Sequence, residues 1–161
     1  ETWIFGDATV EAGNCLLRLG RRNESGDPSL VVLGNLAVNL ESTIAFASRV
    51  WAGGDTEIVG SSFAEEISLG GDAAGCVFAG NLLVDLGGGI DSMQFVSSVV
   101  QGNTRLQLGK SADWLAFGFV NEFLGSFAAD GGPGTDILLV DADDVFHRKP
   151  KFKNFELFSD P

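Results

Sequence analysis

The residues able to do covalent chemistry in this 161-residue chain are few and far apart. Nucleophilic catalysis by Cys15 or Cys76 would need a base beside it, and the single histidine, His147, stands in the basic stretch HRKPK. One histidine and two distant cysteines do not make a zinc site or a disulfide framework. Both cysteines lie in apolar runs, which predicts small core residues. The stretch LGGGIDS lacks the helix that a nucleotide-binding glycine loop must open. Carboxylates are more concentrated. Asp130, Asp136, Asp141, Asp143 and Asp144 gather near the end of the chain, where calcium could find its roughly six to eight oxygen ligands. The same cluster also suits a solvated acidic rim. A set formed by Asp85, Arg105 and Gln107, with Arg18 and Asn39 earlier, is expected to share one outward column. Only Asp85 in it is acidic, so it is a poor candidate for paired-carboxylate work.

The elements that must position these residues repeat. A Gly-Asn pair recurs as Gly13-Asn14, Gly34-Asn35, Gly80-Asn81 and Gly102-Asn103, with looser copies at Gly54-Asp55 and Gly125-Ser126. Strand-like text follows each, such as LAVNLE and LLVDLG, and the unit is about 22 residues long. A second landmark opens DSMQF at Asp91, DWLAF at Asp113, DILLV at Asp136 and EEISL at Glu65. Ser42 takes that place in STIAF, and Asp27 starts an irregular first copy. Apolar residues stand two and four places after each landmark, including Ile44 and Phe46. This is the alternation of strands with one buried face.

Each unit therefore predicts two short strands and two turns, one coil of a solenoid whose apolar rows are buried only by neighbouring coils. The fold expected is all-β, a right-handed parallel β-helix of about six coils over residues 1–146, with a β-sandwich as the alternative. The hand rests on the general preference of parallel crossovers. Leu36, Val38, Leu40, Leu82, Val84, Leu86, Thr104, Leu106 and Leu108 are expected inside. A short helix is conceded only at Trp114 to Phe123. In the Gly-Asn pairs, glycine would supply a corner with positive φ. Asn14, Asn35, Asp55, Asn81 and Asn103 would stack as a hydrogen-bonded column, a structural role favoured over ligand binding.

The net charge of −12 argues against nucleic acid and anionic membrane surfaces as partners. It suits solubility, and it is compatible with a cation such as calcium. No apolar run is long enough to span a membrane. The basic, aromatic segment 147–161 holds Arg148, Lys149, Lys151 and Lys153 among Phe152, Phe155 and Phe158. It is expected either to cap the open end of the solenoid, with its lysines on the acidic rim, or to serve as a partner-binding tail. Trp3 and Phe5 are the candidate cap at the other end.

The units GNLLVDLGGGIDSMQF, GNLAVNL and GNTRLQLG resemble the G-N-L-x-V-x-L-G repeats of large bacterial, planctomycete-type surface and secreted β-helix proteins. That resemblance spans roughly Gly13 to Asp141 and implies an exported protein, secreted or at the cell surface. GGPGTDILL resembles the calcium-binding nonapeptide of RTX proteins. It implies a turn in which Gly131, Gly132, Gly134 and Asp136, with Asp130 beside them, would hold calcium. The turn at Gly109 to Asp113 carries a lysine and lacks those glycines. The function expected is a non-enzymatic structural or adhesive module, calcium-stabilised in its narrower form, with a cell-surface component or polysaccharide as partner. The alternative is a carbohydrate-active enzyme similar to lyase- and glycosidase-type β-helices, working through outward Asp and Arg side chains.

Overall fold

The computed structural model describes residues 2–20, 29–71 and 75–159. Among them there is no helix, and every strand pairing is parallel. The strands form three seven-stranded sheets, and the chain visits the three in turn. The first sheet holds Thr2–Ile4, Leu30–Val32, Val50–Ala52, Val77–Phe78, Val99–Val100, Glu122–Phe123 and Val145–Phe146. The second holds Ala8–Gly13, Leu36–Glu41, Thr56–Val59, Leu82–Asp85, Thr104–Gln107, Phe127–Asp130 and Lys151–Lys153. The third holds Leu16–Leu19, Ile44–Ala47, Glu66–Gly70, Ser92–Val96, Trp114–Gly118, Ile137–Leu139 and Leu157–Ser159. The molecule is a parallel β-solenoid with three walls.

The expected axis is present. Leu36, Thr56, Leu82 and Thr104 stand in one register column, and the inward set predicted for the strands that follow the Gly-Asn pairs, Leu36 to Leu108, is buried. The coil differs from expectation in having three strands, because the strands of the first sheet are only two or three residues long. That is too short to show an alternation. Six complete rungs lie within residues 1–146, as expected, and the segment after them completes a seventh. Trp114–Gly118 is strand, not helix, since its apolar residues alternate inward at Leu115 and Phe117.

One unit is offset by a residue. Ala45 and Ala47, not Ile44 and Phe46, align with the inward pairs Ile67 and Leu69, Met93 and Phe95. The landmark place in that rung accordingly belongs to Thr43, not Ser42. These small alanines help line an apolar cavity of about 20 Å³ with Leu17, Val38 and Ile58. Toward the C-terminal end the core is instead filled by phenylalanines. Phe95 stacks on Phe117 at 5.6 Å, and Phe123 meets Phe127 edge-on at 4.7 Å.

Segment 147–161 does not stand apart from the solenoid. Its strands Lys151–Lys153 and Leu157–Ser159 complete the last rung of two sheets. Phe152 and Phe155 pack against the core, while the Phe158 side chain and Asp27 lie outside the described residues. Trp3 and Phe5 stack on each other at 6.3 Å but stay 51% and 83% exposed, so they do not cover the core. Cys76 is buried, whereas Cys15 is exposed at the first corner between the second and third sheets, and both are free thiols. Burial pushes the Cys76 thiol up to about 11.

Candidate functional site

Three corners separate the three walls, and each is tied by a column of side chains. Between the first and second sheets the N–H of Asn35 donates to Asp7 Oδ1 at 2.7 Å, Asp55 to Asn35 at 2.9 Å, and Asn81 to Asp55 at 2.8 Å. Asn103 then donates to Asn81 at 2.9 Å and Ser126 to Asn103 at 3.1 Å. These side chains face solvent. Asn14 lies elsewhere, at the next corner, where Gly13 aligns with Glu41. The first member of the column is Asp7, in the pair Gly6-Asp7, which the expected repeat did not include.

The glycines of these pairs serve a different purpose from the one expected. Gly34, Gly54, Gly80, Gly102 and Gly125 do not adopt left-handed φ. A Cβ on any of them would run into the backbone of the pair one rung below, such as the Gly54 carbonyl under Gly80. Gly6, at the bottom of the column, would meet nothing within 4 Å. Close stacking, not turn conformation, requires glycine here.

The second corner holds the acidic landmarks. The N–H of Glu65 donates to Asp91 Oδ1 at 2.8 Å, Asp91 to Asp113 at 2.8 Å, Asp113 to Asp136 at 2.8 Å and Asp136 to Glu156 at 2.6 Å. Glu65 in turn accepts from the Ser42 N–H and the Ser61 hydroxyl. Glu65, Asp91, Asp113 and Asp136 are at most 2% exposed. Each has a second oxygen that is buried without a hydrogen-bond partner. Burial, reinforced by the Glu65 and Asp113 carboxylates, pushes Asp91 up to about 7. Burial and the Asp136 charge push Asp113 up to about 6, and burial raises Asp136 as well. At the third corner Cys76 donates to Ser98, Ser98 to Asn121 and Asn121 to Asp144 through backbone N–H groups.

The nonapeptide-like turn sits in this frame. Asp136 is committed to the buried column. Asp130, outside it, accepts from Lys153 Nζ at 3.0 Å, from Asn154 Nδ2 at 2.7 Å and from the Gly132 N–H at 3.1 Å. Although burial works to raise it, these donors hold the Asp130 carboxyl below its ordinary value. Among the described residues, no group of three or more His, Cys, Asp or Glu side chains is placed to hold a metal ion. His147 Nε2 lies 2.8 Å from Glu122 Oε1.

The last rungs of the second sheet's outward face carry Arg105, Lys151 and Lys153. The columns of this face differ from the expected single one. Arg105 aligns with Leu83, Ala128 and Lys151, whereas Asn39, Asp85, Gln107, Asp130 and Lys153 share the column two residues on. Arg18 belongs to the third sheet. Arg105, Gln107, Ala128, Asp130, Lys151 and Lys153 enclose a depression of about 220 Å³. Sequence reasoning missed the two lysines because it set them in a separate tail. Rung counting past His147 would have placed them on this face. No known family, curated protein or solved structure matches the chain.

Proposed function

We propose that the chain is a rigid structural or adhesive module of an exported protein that binds rather than transforms its partner. The support for this reading is the continuity of bonding: adjacent rungs pair in register on three walls, and side chains tie all three corners. Such a frame holds outward side chains at intervals of about 4.8 Å and loses little freedom when it meets a surface. Export draws its support from the repeat resemblance. The calcium-stabilised form is less favoured, since Asp136 is committed to the column and Asp130 to Lys153. Incubation with acidic and neutral polysaccharides tests the proposal. The expected result is retention on a polymer without new reducing ends or unsaturated products. Cleavage that disappears in Arg105→Ala would replace this function with that of a carbohydrate-active enzyme.

A further inference from the structure

Arg105 and Lys151 stand in one column of the second sheet with Ala128 between them. Both cations are exposed, and neither has a carboxylate within ion-pair distance among the described residues. In the neighbouring column Lys153 and Asp130 neutralise each other. The methyl group of Ala128 keeps the floor between the two cations low, and Gln107 adds an amide at the rim of the depression. Two rungs separate the cations, about 9–10 Å along the axis. On a chain of net charge −12, this is an isolated cationic pair with a fixed spacing.

The surroundings select the ligand. Glu57 lies further along the same column and Asp85 along the neighbouring one. A duplex with a charge every ~1.7 Å would be repelled there, as would a continuous anionic membrane surface. Glu57 stands two rungs beyond Arg105, so a polymer with sparse anions fits here as a short stretch that ends or turns outward at Arg105. A linear glycan with a carboxylate on every second ring has anions at about the two-rung interval. Its intervening ring would lie over Ala128, with hydroxyls within reach of Gln107. Resting on the adhesive reading above, we infer that this face binds an anionic glycan. Arg105 and Lys151 each take one carboxylate of alternate sugar rings.

The test is titration of the full chain with hyaluronan oligosaccharides, which carry carboxylates on alternate rings. Dextran, polyglutamate and oligothymidylate serve as comparison polymers. Hyaluronan is expected to bind, and to bind more weakly as salt rises from about 50 to 300 mM, because exposed ion pairs are screened. Arg105→Ala and Lys151→Ala are each expected to lower affinity about tenfold, the loss of one charge-assisted contact, without moving the melting temperature. Ala128→Glu is expected to abolish binding by raising a negative side chain from the floor. Unchanged affinity in the Arg105 and Lys151 variants, or equal binding of dextran, would overturn the site. Equally tight binding of polyglutamate or oligothymidylate would overturn the ligand class. Retention of the wild type on none of the polymers would count against the adhesive reading itself.

Discussion

Two columns of polar side chains turn two corners of the same solenoid, and they bond in opposite directions. In the exposed column a side chain receives the N–H of the following rung, as Asn35 does from Asp55. In the buried column it reaches back for the N–H of the preceding rung, as Asp91 does for Glu65. The backbone need is the same at both corners, one donor per rung that the sheets leave unpaired. The chemistry differs with access to water. The exposed column uses amides, acids and a serine interchangeably, because solvent satisfies their remaining atoms. From Glu65 to Glu156 the buried column is made only of acids, each of the enclosed ones with one oxygen bonded and one without a partner. A neutral carboxyl leaves one hydrogen to place in such a wall, whereas an amide leaves two. The acids therefore meet the backbone's need at the least polar cost, provided they hold their protons.

That proviso gives the largest expected difference between the columns. Asp91 and Asp113, at about 7 and about 6, lie above their ordinary value of 3.8. The folded chain thus keeps protons that the unfolded chain releases. The resulting stability is complete below about pH 4, falls as pH rises through 6 and 7, and is level above that. Urea denaturation at pH 5 and pH 8 should give the higher midpoint at pH 5. Repulsion among surface acids acts in the same direction, so the decisive comparison is the double variant Asp91→Asn/Asp113→Asn. It should flatten the slope, and a slope equal to that of the wild type would assign the effect to the surface.

The next effect separates stacking from turn conformation in the exposed column. Gly80→Ala drives a Cβ against the Gly54 carbonyl, and overpacking of this kind costs about 1–3 kcal/mol. Gly6→Ala meets nothing and should be within about 0.5 kcal/mol of the wild type, as other surface changes are. Equal losses in the two variants, measured by denaturant midpoint, would return the glycines to a conformational role. Calcium should have a smaller effect still. Melting in EDTA and in millimolar calcium should coincide, and a clear rise with calcium would restore a metal to the Gly131 turn.

Most of the exposed column and the inward rows were legible in the text because glycine followed by a short polar residue, and then alternating aliphatic residues, recur there about every 22 residues. Leu82, Val84 and Leu86 are buried as their alternation requires. The acidic landmarks were legible as positions but not as buried groups, because an isolated aspartate before a strand reads as a solvated turn. Only the neighbouring rungs, which supply its N–H partner, take it out of water. The third corner escaped notice because Cys76, Ser98, Asn121 and Asp144 share a bonding role without sharing a side chain. The cationic pair escaped for a similar reason. Arg105 and Lys151 are 46 residues apart in the chain, and only the register places them two rungs apart.

The smallest expected effect brings the comparison down to a single bond. Asn81 accepts from the Asn103 N–H at 2.9 Å in solvent, while Asn121 accepts from the Ser98 N–H at 2.9 Å in the interior. The backbone bond has the same length in both, but Asn121 also donates to Asp144 and to buried carbonyls, whereas the further bonds of Asn81 lie in solvent. Asn81→Ala admits water to the freed N–H and should cost about 0.5–1 kcal/mol. Asn121→Ala strands a donor where water does not reach and should cost about 1–3 kcal/mol, plus the loss of its 2.9 Å bond to Asp144. Parallel urea titrations of the two variants measure that gap directly. If the two costs were equal, the length of the bond would matter more than its access to water, and the contrast between exposed and buried columns would lose its physical basis.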